Sequence, residues 1–316
     1  MANPVFQIIH REHLPEVRGR YSPDAPLGCV GWFRTGGTAE ILFKPVDIED
    51  LSLFLTTNRY QYPVTILGVL SNSIIRDGGV SGVVIRLGRE FATIKPMEDH
   101  RLYVGASALD VNVAEAAAMN GIAGLEFLCG VPGSIGGALA LNAGAYGSEI
   151  KDILVRADFI DGAGQIQTMT ADDLKMGYRH SEIPSGWIAT GAILQGQEGL
   201  PEKIQAFMSD IRNKRAKTQP IRAQTGGSTF KNPKAVDLAK AGLPEDTKAW
   251  QLVDRVGGRG LMVGGAQMSE QHANFMINTG TASASDLEGL GEEIRRRVLE
   301  NFGYDLHWEI ARIGEK

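Results

Sequence analysis

Residues 225–233 read T-G-G-S-T-F-K-N-P, and the side chain in that run best placed to act chemically is Ser228. Two glycines let a backbone pass close to a ligand without a Cβ in the way, and the serine that follows is then held at a fixed distance from whatever binds there. The pattern presents a single hydroxyl to a reacting atom. Gly, Ser and Asn are also the ordinary residues of turns, so the segment by itself fits a surface turn equally well.

Two further glycine-bearing segments suit phosphate. In I-L-G-V-L-S-N-S-I-I-R-D, residues 66–77, a strand runs into a turn that carries Gly68, Ser71 and Asn72. Backbone N–H groups and small hydroxyls at a strand end make an anion-binding concavity. In G-V-P-G-S-I-G-G-A-L-A-L-N-A-G-A-Y-G, residues 130–147, Pro132 and Gly133 make a turn and Ser134 is placed to cap a short helix. Gly136 and Gly137 would keep the outer face of that helix bare, and a helix start with free N–H groups is a second phosphate cradle. Gly130, Ile135, Asn142 and Gly144 complete the candidates on the cofactor side. Neither segment is a G-x-G-x-x-G fingerprint or a P-loop. Two cradles roughly sixty residues apart suit one long cofactor with two phosphates.

Bulk properties narrow the partners. The chain has 316 residues, enough for two or three domains, with 43% hydrophobic and 22% charged residues and 39 glycines. A net charge of -5 without a basic stripe gives no footprint for a nucleic-acid backbone, so a small molecule is the expected partner. Cys29 and Cys129 stand far apart with no C-x-x-C and no histidine cluster, which argues against a metal site or a disulfide framework. Both are expected as free, buried thiols in a reducing compartment. The N-terminus lacks the basic start and apolar core of a signal peptide, and no run of ~18 apolar residues suggests a membrane span.

The elements that must carry these residues follow from periodicity. Residues 39–45 and 63–68 read as strands around an amphipathic helix at 47–57 with Asp47 near its start, a β-α-β unit, and residues 82–87 read as a third strand. An alanine-rich helix is expected at 108–120, closed by Gly121. D-G-A-G at 161–164 joins two alternating runs as a hairpin. A polar helix at 200–217 stops at T-Q-P, where the texture changes and a boundary falls near 220. Beyond it come a helix at 249–256, a long helix at 285–302 and an alternating terminal stretch expected to return toward the earlier part.

In chain order, G-W-F-R-T-G-G-T-A-E, I-L-G-V-L-S-N, L-E-F-L-C-G-V-P-G-S-I-G-G-A, N-A-G-A-Y-G, G-Y-R-H-S, G-G-S-T-F-K-N-P, V-G-G-A-Q-M-S-E-Q-H-A-N-F-M-I-N and W-E-I-A-R-I-G make eight blocks. Together they resemble the UDP-N-acetylenolpyruvoylglucosamine reductase family, in its shorter second subclass, over nearly the whole chain from about residue 31. The resemblance implies an α+β fold: an FAD-binding domain of the vanillyl-alcohol-oxidase (PCMH) type in two subdomains, about 31–90 and 91–220, and a C-terminal α/β substrate-binding domain at 221–304. An extension at 1–30 and a terminal strand at 305–316 returning toward the active site complete that organisation. It further implies a cytoplasmic enzyme of bacterial peptidoglycan synthesis, favoured as a monomer, with non-covalent FAD and with NADPH as co-substrate. The small-molecule substrate would be UDP-GlcNAc enolpyruvate; no nucleic acid, metal or membrane partner is implied.

By the same resemblance hydride passes from NADPH to FAD and from flavin N5 to the β-carbon of the enolpyruvyl ether. The protein is then left to position the substrate and to manage charge. Arg179 in G-Y-R-H-S matches the arginine that binds the carboxylate, a task suited to a planar, permanently charged fork. Glu309 in the terminal block matches its acidic partner, and Ser228 the proton donor to the α-carbon. Lys231 and Asn232 are candidates for the uridine or phosphate end, with Tyr178 or Tyr146 stacking or donating to phosphate. His180 is expected to orient Arg179, while the roles of His272 and Asn274 are not readable.

This chain has G-V-L-S-N where the family has G-x-G-S-N. Were Leu70 to need a positive φ, it would cost about 1–2 kcal/mol and weaken FAD binding. Arg255 stands where an acid is common. Two other readings stay open at this point: an FAD enzyme acting on another alcohol, and a catalytically silent nucleotide-binding protein.

Overall fold

The computed structural model describes residue 9 and residues 11–58 and 61–316. Residues 1–8 of the expected N-terminal extension therefore lie outside the described residues, whereas Arg20–Pro26 is a strand at the edge of the first sheet.

That sheet runs in the order Arg20–Pro26, Thr38–Lys44, Val80–Ile85, Val64–Ile66. The helix Ile48–Thr57 starts where Asp47 accepts a bond from the Asp50 N–H at 2.9 Å, a side-chain cap for one of the first unpaired donors. It buries Leu51 and Phe54, and the Phe54 ring lies 4.8 Å from that of Phe43. The strands on either side of this helix are both parallel to Val80–Ile85 and do not touch each other. The β-α-β unit read from sequence thus encloses a third strand. Val80–Ile85 is almost wholly buried, as a strand covered on both faces must be, and so takes the central place.

A second sheet is antiparallel throughout, in the order Ile166–Met169, Leu154–Ile160, Ile188–Gln195, Arg101–Gly105, Ile94–Met97. The hairpin at 161–164 forms because Asp161 accepts from the N–H groups of Ala163 and Gln165, both at 2.9 Å, and Gly164 takes the left-handed φ of 73°. The helices Asp110–Met119 and Pro201–Thr218 close over one core with this sheet, the first ending at Asn120 before Gly121 turns left-handed.

The third unit is a small antiparallel sheet, Gln224–Thr225, Met276–Asn278, Ala266–Met268, Met262–Val263, whose core includes residues of the helices Ala249–Arg255 and Ala284–Phe302. The long helix opens with a reciprocal capping box between Ser283 and Asp286. Finally Ala311–Ile313 returns to pair in parallel with Ser73–Ile75 at the end of the first phosphate segment. Cys129 is buried as expected, its thiol donating to the Met208 carbonyl at 3.6 Å, but Cys29 is exposed: its short helix Leu27–Val30 buries Leu27 and Gly28 instead. Among the described residues no helix is long and apolar enough to cross a membrane.

Candidate functional site

A cleft of about 380 Å³ opens between the first and second sheets, lined by Gly68 from one cradle and Ser134, Gly136 and Gly137 from the other, with Arg86 and Trp187 among its walls. The cradles are tied together: the Ser71 hydroxyl donates to the Pro132 carbonyl at 2.6 Å. Between Gly68 and Ser71 the chain turns through Leu70 at φ 57°, so the left-handed backbone that the usual glycine would supply is adopted here by a buried leucine. A Cβ on Gly68 would stand 3.2 Å from the Ser134 hydroxyl, whereas one on Gly137 would meet nothing within 4 Å. At Gly68 and Gly137 the cleft wall is therefore bare backbone. Half-buried Arg86 adds a cation whose pKa is pulled down by desolvation; the sequence reading missed it, though a cation ending an apolar strand is a legible signal.

Several expectations for this half need correction. The Ile135 and Gly136 N–H groups are not free but donate to the Ala108 and Ala106 carbonyls at 3.0 and 2.8 Å. Ser134 occupies the cap position without a capping bond, and a Cβ on Gly136 would press on Ala106. Gly130 is small because the Tyr146 ring stands 2.7 Å from where its Cβ would be, and Gly144 because Glu149 and Ser148 do the same. Asn142, fully buried at a left-handed φ of 41°, accepts from the Lys151 N–H at 2.9 Å and donates to Glu149 and to the Gly177 carbonyl, the latter at 3.0 Å. These three brace the fold around the cleft.

The Gly177 bond leads to the other half of the site. Gly177 and His180 exchange backbone bonds at 3.0 and 3.1 Å, a tight turn that holds Arg179 at φ 52°. From there Arg179 Nε donates to Glu309 Oε1 at 2.7 Å, with the two side chains 24% and 13% exposed. Burial pushes the Glu309 carboxyl above the ordinary glutamate value, against the opposing pull of Arg179 and Lys231. Lys231 donates to the Arg179 carbonyl at 3.4 Å, and the exposed Tyr178 ring lies 5.4 Å from the guanidinium.

Ser228 arrives from the third unit and is held from both sides. The Glu309 N–H donates to the Thr229 carbonyl at 2.8 Å, while Asn72 donates to the Glu309 carbonyl at 3.1 Å and accepts from the Ala311 N–H at 3.0 Å. The two glycines before Ser228 pack where side chains would collide: a Cβ on Gly226 would lie 2.7 Å from the Phe33 ring, and one on Gly227 would lie 3.0 Å from Asn72. Asn274 clamps the following residues, accepting from Phe230 N–H at 3.0 Å, donating to its carbonyl at 2.8 Å, and taking the Thr229 N–H on its own carbonyl at 2.7 Å. His272 accepts from the Asn274 N–H at 3.2 Å, and its own pKa is lowered by burial. The two residues without a readable role thus hold the serine segment.

Other expected side chains stand elsewhere. His180 is exposed and faces Glu182 at 3.7 Å, so Glu309 and not His180 orients Arg179. Asn232 accepts from the Ala249 N–H at 3.2 Å at the start of a helix, and the Tyr146 hydroxyl donates to the Ile211 carbonyl at 3.4 Å. Arg255 is exposed at the C-terminal end of its helix, where a cation suits the dipole.

A two-cradle cleft, with an arginine–carboxylate pair tied to the first cradle through Asn72 and to the serine segment through Thr229, on a flavin-domain fold with a separate C-terminal unit, defines an FAD-dependent oxidoreductase. Residues 39–170 match the family described as FAD binding domain, and residues 219–313 match the C-terminal domain of UDP-N-acetylenolpyruvoylglucosamine reductase. The UDP-N-acetylenolpyruvoylglucosamine reductase of Paramagnetospirillum magneticum is 52% identical over 304 residues, 96% of this chain and 95% of its own. That of Acidiphilium cryptum is 52% identical over 314 residues, covering 99% and 97%. The crystal structure of the Thermus caldophilus reductase superposes with a TM-score of 0.77 at 32% identity, over 94% of this chain and 100% of that one. The chain belongs to the UDP-N-acetylenolpyruvoylglucosamine reductase family.

Proposed function

We propose that this protein catalyses the NADPH-dependent reduction of UDP-N-acetylglucosamine enolpyruvate to UDP-N-acetylmuramate, a step of bacterial peptidoglycan synthesis. The observation that carries the reading is the Arg179–Glu309 pair, joined through the Thr229 carbonyl to the Ser228 segment beside the linked cradles. Gly68, Ser134, Gly136 and Gly137, which line the cleft, would hold FAD, whose chemistry when bound is hydride transfer between NADPH and the enolpyruvyl carbon. Arg179, anchored through Nε, offers its terminal nitrogens to the substrate carboxylate, and Glu309 fixes the guanidinium in that orientation. Negative charge that develops on the carboxylate side is met by this cation and by Lys231. The Ser228 hydroxyl then gives its proton to the α-carbon; half-buried, it need only be placed and kept dry. Tyr178 and Lys231 border the path to the sugar nucleotide, with Asn232 reserved for its helix start.

The same reading divides the chain into an FAD unit ending near 220, a substrate unit at 221–304 and a returning strand at 305–316. The strand Arg20–Pro26 is added to the first of these. The sugar-nucleotide and NADPH substrates favour a cytoplasmic enzyme, and a monomer is the expected form. Purified protein carrying flavin absorbance should oxidise NADPH on addition of the enolpyruvyl sugar nucleotide. Ser228→Ala should leave flavin reduction by NADPH near normal and slow reoxidation by the enolpyruvyl substrate ~10²- to 10⁴-fold. Slowing of the NADPH step alone, or of neither, would refute the role given to Ser228.

A further inference from the structure

The Ser228 segment and the returning strand meet in a short antiparallel bridge at Phe230 and Trp308. The Glu309 N–H donates to the Thr229 carbonyl at 2.8 Å and the Lys231 N–H to the His307 carbonyl at 2.9 Å. Successive side chains of an extended chain point to opposite faces. One face of the bridge therefore carries Phe230 and Trp308, whose ring centroids lie 5.4 Å apart against the core of the third unit. The other carries Lys231 and Glu309, both of which bond to Arg179. A one-residue slip of the bridge would exchange its faces and turn Glu309 away from Arg179.

The long helix Ala284–Phe302 holds the first of these faces in place. Gly291 lies buried inside it, although glycine in a helix interior weakens the helix. A Cβ there would overlap the Trp308 ring, so the missing side chain leaves a notch into which the indole fits. The Trp308 ring N–H donates to Glu292, the next residue of the helix, at 2.8 Å. Arg312, whose guanidinium lies 4.6 Å from the centre of the same ring, donates to the same carboxylate oxygen at 3.1 Å. Trp308 is thus fixed by shape, by a hydrogen bond and by a cation over its ring.

We propose that Trp308 is a positioning residue for the reaction: seated in the Gly291 notch, it sets the register of residues 229–231 against 307–309 and so aims Glu309 and Lys231 at Arg179. It acts through these side chains and not on the substrate. The proposal rests on the function proposed above and adds to it the anchor that keeps the charged groups aligned.

The test follows flavin absorbance through the two half-reactions separately, in wild-type protein, Trp308→Ala, Gly291→Ala and the double variant. Flavin reduction by NADPH should stay near the wild-type rate in all four. Reoxidation by the enolpyruvyl substrate should slow ~10- to 100-fold in Trp308→Ala, the order of loss that a misplacement of about 1 Å brings. Gly291→Ala should do the same by pushing the indole out of its notch. The double variant should be no slower than Trp308→Ala, because the notch is then empty and the two losses share one cause. Equal slowing of both half-reactions would make Trp308 a general brace of the fold and overturn the proposal, as would additive losses in the double variant. If Trp308→Ala does not fold, Gly291→Ala decides: selective slowing of reoxidation supports the proposal, and wild-type rates or equal slowing of both steps overturn it. Failure of the enolpyruvyl sugar nucleotide to reoxidise the wild type would remove the proposed function along with this inference. Reoxidation of Trp308→Ala at the rate of an active wild type would remove this inference alone.

Discussion

Glu309 shows two forces opposing each other in one side chain. Burial raises its pKa and the neighbouring Arg179 and Lys231 lower it, and burial is the larger effect. The ion pair with Arg179 is therefore complete only above a value higher than that of an ordinary glutamate, and is lost as pH falls through it. The acidic limb of the rate of substrate reduction should lie correspondingly high, and Glu309→Gln should abolish that limb while lowering the plateau. A limb that persists in the variant assigns it to another group. Stability runs the other way: the folded state binds a proton more tightly than the unfolded one, so this residue's contribution declines as pH rises through the raised pKa.

At the scale of elements, the turn between Val64–Ile66 and Ser73–Ile75 sets local strain against packing. Leu70 pays about 1–2 kcal/mol for its left-handed φ. Its side chain is only 4% exposed, in a cluster with Leu27 and Val84, and removing a buried leucine costs about 2–5 kcal/mol. Packing wins. Leu70→Gly should lower the stability of the flavin-free protein by about 2 kcal/mol, the middle of the ~0–4 kcal/mol that the difference of those ranges spans, while FAD affinity measured on folded protein is at least as tight. An unchanged or higher melting temperature would show that strain outweighs the packing.

Across the whole molecule, the long helix of the third unit is capped by the first. Asp77 accepts from the Ala284 and Ser285 N–H groups, both at 2.9 Å, and Arg76 pairs with Glu288 at 2.7 Å along the same helix. Thr35 donates to the Ala282 carbonyl at 2.6 Å and Asn278 to the Phe33 carbonyl at 2.7 Å. With the returning strand, these contacts couple the units, and urea unfolding should be a single transition. Asp77→Ala should cost about 1–2 kcal/mol, seen as a lower midpoint at unchanged slope. A second transition, or a smaller slope, would mean that the units unfold separately.

The amino-acid sequence by itself determined what is local. Period and capping residues located the helices at 48–57, 110–119, 201–218, 249–255 and 284–302 to within a few residues. Asp161 and Gly164 carried their hairpin. The ordered blocks identified the family and singled out Ser228, Arg179 and Glu309, because a hydroxyl after two glycines or an arginine in a fixed motif is written in consecutive residues. What tertiary structure decided was every pairing across long separations. No local pattern could show that Val80–Ile85 would separate the strands flanking a helix, that Asn142 would brace the turn of Arg179, or that Asn274 would clamp Thr229 and Phe230. Asparagines and glycines satisfy or make room for partners that only the folded chain brings near. The same residue types that mark a cradle in sequence, such as Gly130 and Gly144, therefore proved to be places where another part of the protein passes too close for a side chain.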